Sequence, residues 1–257
     1  MSDIDIVKIY EIVFRSLKRA QFYSGIANHI LKLSINNIEL EKDKPSDFQI
    51  VFPDWFENQN QYKKTFAEWV MNRLLEDMIE SFEQCLERIF KILPIKEEFK
   101  DKANKIKDLN GFISKFEKNI GIPIKYSESI RSLNIARDIL THSYEGYVRK
   151  DDVNGNDNKF TVHWYKLKTK VYGKKQGENY KTEKDILNTW VDTRQFDNHN
   201  VKFERTFIKK SKSWNIDECI QFTPYEIHEI SSMIDFIIKD FHYNLRIKAL
   251  KIINLNN

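Results

Sequence analysis

Residues 137–144 read RDILTHSY: an arginine, a histidine five places on, and a tyrosine two places beyond that. An imidazole titrates near neutral pH and can take or give a proton. A guanidinium stays charged and can stabilise an anion as its charge builds. The spacing alone carries little. With ten arginines and six histidines in 257 residues, random placement gives about 0.2 pairs with four residues between them. The chain holds a second such pair, Arg194 and His199 in TRQFDNHN, set in a polar segment. Context separates the two.

On a helix turning about 100° per residue, Leu133, Ala136, Leu140, Tyr144 and Tyr147 fall on one face, widened by Ile135 and Ile139. Arg131, Asn134, Asp138, Thr141, His142 and Glu145 fill the polar sector, and Arg137 borders it beside Thr141. Five residues amount to about 140° around the axis. One copy of the helix therefore does not readily bring Arg137 and His142 onto one anion, whereas two copies related by a two-fold axis do.

Four further helical patterns surround this one. Ile6, Tyr10, Val13, Leu17, Ala20, Ser24, Ala27 and Leu31 recur at spacings of 4 and 3, which predicts a helix over about 3–33. Beyond the polar stretch KDKPSD, a second stripe of Phe66, Val70, Leu74, Met78, Phe82, Cys85, Ile89 and Ile92 predicts a helix over about 61–93, ended by Pro94. A third, about 96–120, holds Leu109, Phe112, Ile113, Phe116 and Ile120 and stops at Gly121 and Pro123. Ser127 is placed to N-cap the fourth, about 128–148, which carries RDILTHSY. The fifth, about 223–253, opens on T-P-Y-E, an N-cap threonine with a capping-box glutamate, and carries Ile227, Ile230, Ile234, Ile237, Phe241, Leu245 and Leu250.

Between the fourth and fifth helices the pattern changes period. After the loop KDDVNGNDNK, Phe160, Val162 and Trp164 alternate in FTVHW, and VKFERTFI alternates likewise, so residues 155–214 read as a small antiparallel β insertion. The expected fold is mainly α: a single domain over 1–257, built as a bundle of four to five long helices with a small antiparallel β insertion before the last helix.

Composition narrows the function classes. Hydrophobic residues make up 41% of the chain, enough for a buried core. No apolar run approaches the roughly 18 residues of a membrane span, and MSDIDIVKIYEIVF lacks the basic and apolar regions of a signal peptide. A cytoplasmic protein with no membrane partner is expected. The two cysteines, Cys85 and Cys219, are too few and too far apart for a zinc site, and Cys85 falls on an apolar stripe as a core thiol. Glu76, Glu80, Glu83 and Glu87 recur along one helix, but the Glu-x-x-His partners of a carboxylate-bridged metal pair are absent, so they read as a solvated face. His29, His163, His199, His228 and His242 stand in no ligand or nucleophile spacing, and no metal or cofactor is expected. Net charge is +4, yet residues 159–212 hold fourteen Lys/Arg against six Asp/Glu, a local excess of eight. That region is either a polyanion-binding surface or a solvated basic face.

RDILTHSY resembles the R-x4-6-H motif of HEPN-domain ribonucleases, with Asp138 where that family usually has Asn, Asp or His. Arg137, His142 and Tyr144 also match the longer R-x4-H-x-Y form of HepT-type toxins of prokaryotic toxin–antitoxin modules. Residues 1–150 and 215–257 resemble the family's bundle, with the motif late and a closing helix after it. The resemblance implies a homodimer paired through the motif helices and a shared cleft that cuts RNA without a metal ion. His142 would move the proton of the ribose 2′-hydroxyl or of the leaving 5′-oxygen, and Arg137 would stabilise the phosphate. The products would be a 2′,3′-cyclic phosphate and a 5′-hydroxyl, and DNA would not be cut. Asp138, Asn134 and Arg131 are either supporting residues of that cleft or ordinary helix-surface residues. Tyr144 either packs, touches substrate or is modified by a partner enzyme.

A toxin or antiphage-defence role, with an antitoxin or nucleotidyltransferase partner, follows from the same resemblance. Two features depart from the family: the basic insertion of sixty residues, and the absence of a nucleotidyltransferase segment. Lys166, Lys168, Lys170, Lys174, Lys175, Lys209, Lys210 and Lys212 can meet phosphate, with Trp164 or Tyr172 offered for stacking. The insertion can equally bind a partner or cap the cleft. The alternative to an endoribonuclease is a non-catalytic helical module that binds RNA or a partner protein.

Overall fold

The structure is a computed structural model that describes residues 3–32, 59–93, 108–143, 146–153, 158–175, 178–184 and 202–255. Five α-helices and a three-stranded antiparallel sheet occupy them: α1 (Asp3–Lys32), α2 (Gln59–Ile92), α3 (Leu109–Lys115), α4 (Ser127–His142), β1 (Lys159–Lys175), β2 (Glu178–Lys184), β3 (Lys202–Asn215) and α5 (Pro224–Leu255). The protein is mainly α, with the sheet inserted before the last helix. No described helix is long and apolar enough to cross a membrane.

The core forms where the apolar stripes meet. Tyr10, Val13, Leu17, Ala20, Ser24 and Ala27 of α1 are buried, while Leu31 at its end is exposed. On α2, Leu74, Met78, Phe82, Cys85 and Ile89 are buried together with Met71, Leu75, Ile79 and Leu86. Phe66 and Ile92, the two ends of the expected stripe, are exposed. Asp77 ties the two helices, accepting from Ser16 Oγ at 2.8 Å and from Arg19 Nη2 at 2.8 Å. From α5, Ile227, Ile230, Ile234, Ile237, Phe241 and Leu245 close the core, and Thr223 and Glu226 make the expected reciprocal cap.

Two helix boundaries differ from expectation. Asp108 is extended, and its side chain accepts from Gly111 N at 2.7 Å, so α3 starts at Leu109; the earlier part of the expected helix, 96–107, lies outside the described residues. The chain continues through a π-helical turn, Phe116–Ile120, and stops at left-handed Gly121. On α4 the expected end was near 148, but the helix ends at His142. Gly146 takes a positive φ of 75° and passes against Leu140, where a Cβ would sit 2.9 Å from the leucine side chain. Tyr147 then bridges to Cys219, and Val148 enters the core. Tyr147 therefore lies off the helical face that its spacing gave it.

The start of α4 is also not as expected. Tyr126, not Ser127, occupies the cap position, with φ 58° and no side-chain cap bond. For a bulky residue this backbone costs about 1–2 kcal/mol.

In the sheet the order is β2-β1-β3. β1 pairs with β3 from Lys159↔Asn215 to Tyr172↔Lys202 and with β2 from Thr169↔Lys184 to Lys175↔Glu178. Since β2 covers only the second half of β1, the first half keeps an open edge, and α4 and α5 cap it. His163 N donates to Ser132 Oγ at 3.2 Å and Tyr165 N reaches Met233 Sδ at 3.3 Å. Phe160, Val162, Trp164 and Trp214 are buried against the bundle, as the alternation requires.

Candidate functional site

The motif lies on α4, held down by its buried face of Ile130, Leu133, Ala136 and Ile139. Arg137 and His142 leave this helix in different surroundings. Arg137 is mostly covered, with 18% of its side chain exposed, and is gripped by two carboxylates. Its Nη1 donates to Glu83 Oε2 of α2 at 2.7 Å, and its Nε and Nη2 donate to Asp138 Oδ1 at 3.0 and 2.7 Å. Burial disfavours the guanidinium's charge, but the bonds to Glu83 and Asp138 outweigh it and leave the pKa above its ordinary value. Three of the five N–H donors of this guanidinium are thus committed within the chain.

His142 is the last residue of α4 and is exposed. Among the described residues its imidazole makes no hydrogen bond; its backbone carbonyl accepts from Arg149 Nη2 at 2.9 Å. An open cleft of about 340 Å³ runs here between the end of α4 and the turn that follows, lined by Asp138, His142, Ser143, Arg149, Asp151 and Asp152. Arg149 is anchored from its other end as well, its backbone N donating to Asp152 Oδ2 at 2.7 Å. The cleft thus combines one exposed imidazole, one guanidinium and three carboxylates. An exposed imidazole there can exchange protons with a bound group. Among the described residues, no three His, Cys, Asp or Glu side chains converge as a metal site.

Of the other residues singled out in the sequence, Asp138 sits between the two, bonded to Arg137 and lining the cleft of His142. Arg137 is not among the cleft-lining residues. Asn134 points inward: it is 2% exposed, and its Oδ1 has no hydrogen-bond partner among the described residues. Arg131 is turned to α3, donating to Asn110 O at 3.2 Å and Ser114 Oγ at 3.0 Å with Glu117 3.6 Å away, so its charge does not serve the His142 side of the helix. Tyr144 lies outside the described residues.

The lysines of the insertion divide. Lys209 and Lys210 are exposed. Lys166 lies toward the bundle, 3.8 Å from Glu229, and Lys212 pairs with Glu226 at 3.0 Å under the rings of Trp214 and Phe222. Both are partly covered and lie beside a carboxylate. Lys168 is half-buried on β1; the side chains of Lys170, Lys174, Lys175 and Tyr172 lie outside the described ones. Trp164 is 3% exposed and donates from Nε1 to Glu229 at 2.8 Å, so it belongs to the core and offers no stacking surface.

Two groups of the site were not singled out from sequence. Glu83 appeared as one carboxylate of a solvated helix face, yet its side chain is 20% exposed and bound to Arg137, 54 residues away. Arg149, Asp151 and Asp152 sit in what read as an ordinary loop; the run of charge in RKDD was the available signal. Comparison of the chain with protein-family models, curated proteins and solved structures finds no match.

Proposed function

We propose that the protein is a metal-independent endoribonuclease of the HEPN type, working as a homodimer in which Arg137 of one copy serves His142 of the other. The observation that carries the reading is the placement of the motif on α4. His142 opens into a cleft at the helix end, and Arg137, although only five residues away, is turned toward α2 and does not line it. A complete pair at one phosphate then needs a second copy. In this reading His142 removes the 2′-hydroxyl proton or protonates the leaving 5′-oxygen, and Arg137 balances the charge that builds on the phosphate. Asp138 holds Arg137 from the same helix. A toxin or antiphage-defence role, restrained by an antitoxin or nucleotidyltransferase partner, accords with the resemblance of RDILTHSY to HepT-type toxins.

A non-catalytic module that binds RNA or a partner is the competing reading. One observation favours it: Glu83 and Asp138 already neutralise Arg137 within the chain. The test is cleavage of total cellular RNA by the purified chain in EDTA, with end-group analysis of the products. Loss of activity in both Arg137→Ala and His142→Ala, with 2′,3′-cyclic phosphate ends from the parent, is the expected result. Equal cleavage by both variants refutes the nuclease.

A further inference from the structure

At the opposite end of α4 from His142, four aromatic rings from four elements gather at the surface. Tyr126 stacks on Tyr165 of β1 with ring centroids 4.0 Å apart and planes 25° apart. Phe207 of β3 lies 5.5 Å from Tyr126, and Phe236 of α5 lies 4.5 Å from Phe207. All four residues are partly exposed, unlike the buried cluster of Phe160, Trp164, Trp214 and Phe222 that closes the core under the same sheet.

Cations frame these rings. Lys125 is exposed and holds its Nζ 4.8 Å from the Phe236 ring and 5.6 Å from that of Tyr126. Lys209, also exposed, is the cross-strand partner of Tyr165. The carboxylate acting on Tyr126 is Asp240, which already accepts from Asn244 at 3.1 Å. Tyr126 itself is held in left-handed backbone, φ 58°, a conformation that tyrosine adopts only when its surroundings impose it.

We infer that Tyr126, Tyr165, Phe207 and Phe236, with Lys125 and Lys209, form a stacking platform for single-stranded RNA. Bases stack on aromatic faces whatever their sequence, and adjacent ammonium groups meet the phosphates between them. The charge beside the platform selects the ligand: Lys125 and Lys209 both stand exposed next to its rings, and Tyr165, Phe207 and Lys209 belong to the segment where Lys and Arg outnumber Asp and Glu by eight. The site rests on the proposed RNA substrate and extends it. Tyr126 and His142 stand at the two ends of α4, about 24 Å apart along the axis at 1.5 Å per residue, so the platform and the cleft are separate sites.

The test measures binding separately from cleavage. Full-length His142→Ala protein is titrated against a fluorescein-labelled oligoadenylate of about 12 nucleotides, read by anisotropy. Tyr165→Ala is expected to weaken binding by about 5- to 100-fold. Lys125→Ala and Lys209→Ala each flatten the dependence of log Kd on log salt by about 0.7. Tyr126→Asn removes the ring but suits the left-handed backbone, so it is expected to lose binding with no fall in melting temperature, and Tyr126→Phe is expected to keep it. Unchanged affinity in Tyr165→Ala and Tyr126→Asn overturns the platform even if the parent cleaves RNA. Weakened binding in both variants supports it even if the parent cleaves nothing, in which case the nuclease reading fails alone.

Discussion

Replacing Arg137 by alanine removes more than a proposed catalytic cation, and the structural part of the loss can be worked out beforehand. Arg137 and Glu83 expose 18% and 20% of their side chains, so their pair is neither a solvated surface bridge nor fully buried. Exposed pairs contribute about 0–1 kcal/mol, while breaking a buried one costs about 3–5 kcal/mol. A coupling of about 1–2 kcal/mol between Arg137 and Glu83 is expected. The single variants are not equivalent. Arg137→Ala leaves both Glu83 and Asp138 without their cation, whereas Glu83→Ala leaves Arg137 its two bonds to Asp138. Arg137→Ala should therefore cost about 2–3 kcal/mol in all, and Glu83→Ala less.

Equilibrium urea unfolding of the parent, the two single variants and the double variant measures this cycle. Each kcal/mol lost should lower the melting temperature by roughly 2–4 °C in a chain of this size. Additivity of the two substitutions within about 0.3 kcal/mol refutes the pairing of α2 with α4 through these side chains. The cycle also sets the control for activity. Cleavage must be measured well below the melting temperature of Arg137→Ala, so that lost rate is not lost fold.

Three other outcomes follow from particular residues. If the proposed site is composite, mixing inactive Arg137→Ala and His142→Ala chains under conditions of subunit exchange restores about a quarter of parental activity, since half the dimers then carry one intact site; no recovery in exchanged mixtures refutes the shared cleft. Burial pushes the His228 pKa below its ordinary value. The unfolded chain then binds more protons below about pH 6.5, so stability is full above that pH and falls as pH drops toward the folded pKa. A melting temperature that declines from pH 7.5 to 5.5, and declines less in His228→Gln, is the expected profile; identical profiles would remove His228 as its source. Burial pushes the Cys85 thiol up to about 12, whereas Cys219 is partly exposed. Native protein should accordingly lose one thiol to iodoacetamide, at Cys219 by peptide mapping, and Cys85 only after unfolding.

The long helices were legible because burial repeats along them: Tyr10, Val13, Leu17 and Ala20 are spaced as a helix face and all lie in the core. The strands around Phe160 and Phe207 were legible for the same reason at period two. What periodicity cannot carry is where a pattern stops mattering. Tyr147 continues the α4 stripe in register, yet Gly146 turns the chain away so that Val148 can be buried. Pairings distant in sequence were hidden too. Nothing local distinguishes Glu83 from Glu80 or Glu87, and only the packing of α2 on α4 puts it against Arg137. Trp164 shows the converse limit: an aromatic in a basic strand reads as a stacking surface until Glu229 is found beneath its indole N–H.

The geometry of α4 also limits how two copies can meet in the proposed dimer. Ile139, midway between Arg137 and His142, is 4% exposed and packs mainly in its own core, so it offers little surface to a two-fold contact although it borders the cleft. The more open row is Ile135, Asp138 and His142, all lining the cleft and spaced by three and four residues, with Ile135 partly buried against the core. A two-fold axis at this row brings Asp138 toward its own copy, and two bare carboxylates there would repel. Each Asp138 holds the guanidinium of Arg137 at 2.7 Å and shares it with Glu83, which offsets part of its charge before the faces meet. In the proposed dimer, the ion pair that turns Arg137 toward its own chain would thus also ease the approach of an acidic helix face to a second copy of itself. It also leaves Arg137, with two N–H donors uncommitted among the described residues, at the border where the partner's His142 would arrive.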